Sequence, residues 1–140
     1  MRIDMKLVQV VAAIIVKDHK VLSTKRGYGE FKGGWEFPGG KIEEGEQPEE
    51  ALVREIQEEL EVEIKVIEKI ATIEYTYPAF HLSMQCFLCD LLDEEITLTQ
   101  HDEAKWLTKD SIDEVEWLPA DIEVLEQVKC ILSTRERVNP

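Results

Sequence analysis

Residues 39–62, GGKIEEGEQPEEALVREIQEELEV, carry nine glutamates against two cations, Lys41 and Arg54. Like charges three or four residues apart on a helix each cost about 0.2–0.5 kcal/mol, so a purely structural segment would intersperse more lysine. Such crowding calls for neutralisation from outside the chain. The local structure is nevertheless well specified. Pro48 suits the first turn of a helix, where its missing N–H costs nothing, and Glu49 and Glu50 suit the positive end of the helix dipole. Leu52, Ile56 and Leu60 recur every four residues and predict the buried face of a helix running to about Leu60, with Val53 beside them.

On that helix, spacings of three and four place Glu55, Glu58 and Glu59 along one stripe. Three carboxylates on one stripe suggest a platform for Mg2+, which prefers oxygen ligands and commonly takes one or two carboxylates, with water and substrate phosphates completing its octahedron. Arg54 stands four residues after Glu50 and four before Glu58, where its guanidinium can brace a ligand carboxylate. The alternative for the same spacing is a solvated helix with an i,i+4 salt bridge.

Outward from this stretch, Leu7 to Val16 is a nearly continuous apolar run that predicts a central strand buried on both faces. The polar residues Lys17 to Lys20 make a tight hairpin to Val21 and Leu22. RGYGEFKGGWEFPGG, residues 26–40, is too rich in glycine for regular structure except briefly around Trp35–Phe37, and reads as a functional loop. Beyond the helix, Glu61–Tyr75 and His81–Leu92 read as two strands of an antiparallel hairpin turning at Tyr77–Pro78. A short strand at Trp106–Leu107 follows, then a helix from Pro119 whose face is Ile122, Leu125, Val128 and Leu132.

A chain of 140 residues fits one domain with one continuous architecture. A net charge of −14 argues against polymeric nucleic acid and anionic membrane surfaces, which are held largely by lysine and arginine. No stretch approaches the roughly 18 consecutive apolar residues of a membrane span, and the N-terminus lacks the pattern of a signal peptide. Three cysteines, an odd count, suggest a reducing compartment, by default the cytoplasm. Cys86 and Cys89 form a C-x-x-C, but in a strand residues three apart point to opposite faces, so neither redox nor zinc chemistry is expected of them. His81 and His101 lack metal-ligand spacing and receive no role.

Gly40, five residues, Glu46, seven residues, Arg54–Glu55–Ile56, one residue, Glu58–Glu59, and then Val62 after Glu61 resembles the Nudix box, residues 40–62 here. Every charged position matches. The glycine usual before the last apolar residue is Glu61, which removes no ligand but strains a helix end that glycine would leave in the left-handed conformation. WEFPGGKIEEGE before the helix and LPADIEVLE near the C-terminus resemble the MutT-type branch and the CTP pyrophosphohydrolases.

The resemblance implies an α/β fold, an α/β/α sandwich with a central mixed β-sheet, as a single domain over residues 1–140. It implies metal-dependent hydrolysis of a nucleoside triphosphate to monophosphate and pyrophosphate, in sanitation of oxidised or modified dNTPs or on CTP-like nucleotides. The cofactor would be Mg2+, with Mn2+ as a substitute, and the protein a monomer or homodimer. Glu58 and Glu59 would be metal ligands, Glu55 a further ligand or the base, and the Gly39 carbonyl an additional ligand. Arg54 would orient these groups, with Glu46 behind them. Gln100 stands where relatives often carry an acidic ligand or base, and Asp102 and Glu103 lie just beyond. A glutamine cannot serve as base, so either one of these two substitutes or the box glutamates suffice.

At the nucleoside end the resemblance implies a cation at Arg26. Asp121 either accepts hydrogen bonds from donors on the base edge or caps the last helix. Tyr77 and Phe80 either stack on the base or pack in the protein, and Trp35, Phe37 and Pro38, which border the glycine pair, either shape the pocket floor or simply pack. Two alternatives remain for the activity as a whole. One is a non-catalytic nucleotide-binding regulatory module of the same fold; the other is an enzyme acting on another nucleoside diphosphate derivative such as ADP-ribose.

Overall fold

A computed structural model of the chain describes residues 5–138. In chain order the elements are β1 (Lys6–Lys17), β2 (Lys20–Arg26), β3 (Trp35–Glu36), β4 (Gly39–Lys41), α1 (Pro48–Leu60), β5 (Ile64–Thr76), β6 (Phe80–Leu91), β7 (His101–Leu107), α2 (Pro119–Ile122) and α3 (Leu125–Val138), with a single 3₁₀ turn at Ile112–Glu114.

Alternation along β1 sets the layering. Ala12, Ile14 and Val16 enter one core, and Val11, Ala13 and Ile15 enter a second on the opposite face of the sheet. Ala120, Val124, Leu125, Val128 and Leu132 close the first core, while Ala51, Leu52, Ile56 and Leu60 of α1 close the second. The result is the expected α/β/α sandwich. Cys86 faces the first core and Cys89 the second, and burial pushes both thiols up to about 12, so the C-x-x-C is inert packing. Among the described residues no helix is long and apolar enough to cross a membrane.

The sheet is mixed. β1 runs parallel to β6 in an unbroken register from Lys6↔Phe80 to Ile15↔Cys89, and β5 pairs antiparallel with β6 at the end of the sheet. β1 and β2 pair only beside their turn, at Val16↔Val21 and Lys17↔Lys20. Asp18 and His19 in that turn both have positive φ, 52° and 64°, the backbone a two-residue hairpin with matching twist requires. Away from the turn β1 takes β4 as its neighbour, and β2 takes β3 and β7.

Four local expectations change. The loop at residues 26–40 contains the brief strand expected near Trp35–Phe37, β3, paired with β2, but its end also enters a second strand, β4, whose backbone is claimed by β1. The strand expected at Trp106–Leu107 begins at His101, because β2 pairs along its whole length. Val53 is 40% exposed, since one step around α1 from the central Leu52 turns it off the buried face. The helix expected from Pro119 is two helices: Glu123 and Val124 donate back only three residues, to Ala120 and Asp121, at 3.2 Å each. That tighter turn breaks the 3.6-residue period, leaving Ile122 51% exposed while Leu125, Val128 and Leu132 are buried.

Candidate active site

The site begins with a close approach that glycine permits. A Cβ at Gly39 would run into the Val11 carbonyl, and a Cβ at Gly40 would run into the Glu55 carboxylate, so β4 lies against both β1 and the acidic face of α1. The helix is started by a capping box, in which Gln47 N–H donates to Glu50 Oε1 at 2.9 Å. Glu50 is thereby committed to the cap and does not pair with Arg54.

Arg54 is the hub of the acidic stripe. Its Nε and Nη2 donate to the two oxygens of Glu46 at 2.7 and 3.0 Å, its Nη1 donates to Glu55 Oε2 at 2.9 Å and reaches Glu58 Oε2 at 3.3 Å, and Nη2 also reaches the Lys41 carbonyl at 3.1 Å. One guanidinium therefore organises three carboxylates through its fixed fork of donors. The Arg54 hydrogen bonds and the Glu43 N–H hold the Glu46 carboxyl down to about 2, fixing it as an anion.

Glu59 stands apart from this hub. It is 6% exposed, one of its oxygens receives the Gly39 N–H, and Oε1 is buried with no partner among the described residues. Burial, then the charges of Glu55 and Glu36, push its carboxyl up to about 8, and burial likewise raises Glu55 against the pull of Arg54. An orphaned buried oxygen beside an all-carboxylate set fits a hard divalent cation. Among the described residues no group of three or more histidine, cysteine, aspartate or glutamate side chains is placed to hold a metal ion by itself.

The end of α1 is fastened from a distance. Thr97 N–H donates to the Leu60 carbonyl at 2.9 Å, Thr99 N–H to that of Glu59 at 3.1 Å, and Thr99 Oγ1 to that of Glu58 at 2.8 Å. Glu61 adopts the left-handed conformation, φ 55° and ψ 39°, that a glycine would take here. The next residue after Thr99, Gln100, lines the same cleft as Glu55, Glu58 and Glu59; Asp102 and Glu103 do not.

From the carboxylates a cleft of about 570 Å³ runs to an apolar end containing Val10, Phe37, Tyr77, Phe80 and Leu82. Tyr77 is buried, accepts the Ala120 N–H at 3.2 Å and stacks on Phe80 with ring centroids 5.0 Å apart. Asp121 Oδ1 accepts the Phe37 N–H at 2.9 Å. Asp121 does not cap a helix, because Leu118 is the N-cap of α2 and Asp121 lies within it. Burial, then the Glu36 charge, push its carboxyl up to about 8. Phe37 lines the cleft, whereas Trp35 is buried in the first core and is not part of the lining.

Arg26 lines the cleft as well, but it is held by a residue that the sequence did not single out. Its Nη2 and Nε donate to the two oxygens of Glu36 at 2.8 and 3.2 Å. The available signal was the alternation of Trp35–Glu36–Phe37, which sends Glu36 away from the buried Trp35 and Phe37.

The cleft is thus acidic at one end and aromatic at the other, a shape suited to a polyphosphate joined to a flat ring system. The sequence matches the NUDIX domain family over residues 5–128. It is 35% identical over 96 residues to an 8-oxo-dGTP diphosphatase of Proteus vulgaris, covering 67% of this chain and 86% of that protein. It is 32% identical over 132 residues to the CTP pyrophosphohydrolase of Escherichia coli (strain K12), covering 94% of this chain and 98% of that protein. The crystal structure of a MutT NUDIX hydrolase from Burkholderia pseudomallei superposes with a TM-score of 0.80 at 26% identity, covering 88% of this chain and 98% of that one. The chain belongs to the Nudix hydrolase family.

Proposed function

We propose that this Nudix hydrolase converts (deoxy)nucleoside triphosphates to monophosphate and pyrophosphate, as a single domain spanning residues 1–140, working in the cytoplasm as a monomer or homodimer to clear oxidised or modified nucleotides. One observation carries the reading: a single cleft of about 570 Å³ joins the carboxylates of α1 to the aromatic wall around Tyr77 and Phe80. The relatives named for 8-oxo-dGTP and CTP support the triphosphate class.

Nudix hydrolases generally require a divalent metal; here Mg2+, or Mn2+ in its place, would be held by Glu58, Glu59, Glu55 and the Gly39 carbonyl. When bound, such a cation supplies charge neutralisation to the phosphates and acidifies water. The chain itself does the positioning. Arg54 holds Glu46, Glu55 and Glu58 in one array, so these side chains need little reorganisation when substrate arrives. Glu55, raised by burial, is the acceptor we assign to the proton of the attacking water. Phe80 and Tyr77 carry the base face, and Arg26 and Asp121 its polar edge.

A substrate panel with Mg2+ tests this. Scored for pyrophosphate and nucleotide products, it includes dGTP, its oxidised form, CTP, modified dCTPs and ADP-ribose. Pyrophosphate and monophosphate from one or two triphosphates are expected. Preferential cleavage of ADP-ribose, or tight nucleotide binding with no turnover, would overturn the assignment.

A further inference from the structure

A helix leaves its last carbonyls without partners of its own, and an end left to water frays. In α1 the Gln57 carbonyl is closed by the Glu61 N–H at 3.0 Å, but Glu61 does so in the left-handed conformation, φ 55°, that disfavours any residue except glycine. The remaining carbonyls are met by one short segment between β6 and β7. Leu60 receives the Thr97 N–H at 2.9 Å, Glu59 the Thr99 N–H at 3.1 Å, and Glu58 the Thr99 hydroxyl at 2.8 Å. Ile96 and Leu98 pack against the second core and pin that segment in place.

The two threonines are not equivalent. Thr97 gives the helix its backbone N–H, which any residue but proline could supply. Thr99 adds a side chain whose Oγ1 lies 2.8 Å from the Glu58 carbonyl and 3.1 Å from that of Glu59, so one hydroxyl spans the backbone of both residues. Those residues have little else to place them. Arg54 Nη1 reaches Glu58 Oε2 at 3.3 Å, against 2.9 Å to Glu55, and the Glu58 side chain is 53% exposed. Glu59 lies outside the Arg54 hub and keeps Oε1 without a partner among the described residues. The carboxylates therefore inherit their positions from the backbone of the last turn, and an error of about 1 Å at a reacting centre can cost about 100-fold.

We infer that Thr99 is a positioning residue for the acidic turn: its hydroxyl holds the backbone of Glu58 and Glu59 so that the two carboxylates meet a divalent cation together. This rests on the assignment of Glu58 and Glu59 as metal ligands given above and adds to it the group that places them. Thr99 acts through the two carbonyls and touches neither the cation nor a reacting atom.

The test is titration of Mn2+ alone, followed by the electron paramagnetic resonance of the free cation, into the wild-type protein, Thr99→Val, Thr99→Ser, Thr97→Val and Glu59→Gln, with thermal unfolding of each in the absence of metal. Thr99→Val keeps the branched shape and removes the hydroxyl. It is expected to weaken Mn2+ binding about tenfold, the lower end of what groups that orient metal ligands contribute. Thr99→Ser, which restores the hydroxyl, and Thr97→Val, which leaves the backbone N–H, should both stay within about twofold of wild type. If the valine variant does not fold, Thr99→Ala carries the same expectation. A merely structural role would lower the unfolding temperature of Thr99→Val and leave its Mn2+ affinity unchanged, and that result overturns the inference. Failure of Thr99→Ser to rescue binding, or a loss in Thr97→Val equal to that in Thr99→Val, overturns it too. Weakened binding in Glu59→Gln with none in Thr99→Val sinks the positioning role and leaves the metal assignment standing, whereas unchanged binding in Glu59→Gln, or no Mn2+ binding by the wild-type protein, overturns both. The triphosphate reading is judged separately by wild-type turnover. If the binding pattern holds without hydrolysis, that reading fails and the role of Thr99 stands.

Discussion

The two ends of the cleft are built on opposite plans. At the acidic end Glu46, Arg54, Glu55, Glu58 and Glu59 all come from one turn and one helix, and Arg54 is shared among three carboxylates. At the end proposed for the nucleoside, Arg26 comes from β2, Glu36 and Phe37 from β3 and the residue after it, Tyr77 and Phe80 from the β5–β6 turn and the start of β6, and Asp121 from α2, joined by contacts such as Phe37 to Asp121. One end is an array of like charges held by a cation; the other is a wall of rings with a few aimed polar groups. The contrast predicts a division of labour, in which the acidic end governs turnover and the nucleoside end governs affinity.

The largest effect that could break this division lies on the acidic stripe. Glu58→Gln and Glu59→Gln are each expected to lower kcat by about 100-fold or more, since electrostatic groups at a reacting phosphate are worth about 3–4 kcal/mol. Steady-state kinetics would show it, and a loss below about tenfold removes these residues from the metal role. Chelation of divalent metal should abolish turnover, and added Mg2+ should restore it. At the other end Phe80→Ala should raise KM by about tenfold with kcat within about threefold, because stacking on a base contributes about 1–3 kcal/mol. A fall in kcat equal to that of the glutamate variants would erase the contrast between the two ends.

Asp121 gives a smaller effect with a definite sign. Its carboxyl is held at about 8 in the folded protein against an ordinary 3.8, so between these values the folded state keeps a proton that the unfolded state has lost. Stability from this group therefore falls as pH rises from about 4 to about 8. Asp121→Asn removes the dependence while keeping an oxygen for the Phe37 N–H. Thermal unfolding should show the variant gaining several degrees relative to wild type at pH 8.5 and much less at pH 5. An equal gap at both values would mean that Asp121 does not titrate in this range. Smallest is Glu61→Gly, which should raise stability by about 1 kcal/mol, or roughly 3 °C, by relieving a non-glycine residue in the left-handed conformation. Activity should be unchanged.

Locality explains what could be read from the chain alone. The acidic end was legible because an α-helix converts spacing directly into proximity, and the glutamate positions with Arg54 needed no other element. The sandwich was legible for a related reason: an apolar run such as Leu7–Val16 must be covered on both faces, and the predicted helices on either side supply the covers. Glu36 escaped notice because its partners Arg26 and His101, 10 and 65 positions away, come from other strands, and the alternation within its own strand shows only which way it faces. Asp121 remained divided between capping and recognition, since its choice is made by the Phe37 N–H, 84 positions away. The split of the last helix was hidden by a pattern whose spacing satisfies a continuous helix, until the backbone tightens at Glu123 and Val124.

The fastening of α1 by Thr97 and Thr99 also orders events during folding. The Glu58 carbonyl finds its Thr99 hydroxyl 41 positions further along, across the whole β5–β6 hairpin. Until that hairpin has formed and closed the intervening loop, the last turn of the helix can satisfy its carbonyls only with water. The first turns of α1 can form early around the capping box, but the turn bearing Glu58 and Glu59 matures with long-range structure. A nascent chain released only as far as β5 therefore lacks these hydrogen bonds to the last turn of α1, and the carboxylate array proposed to bind phosphates is braced late, when the sheet beneath it is already in place.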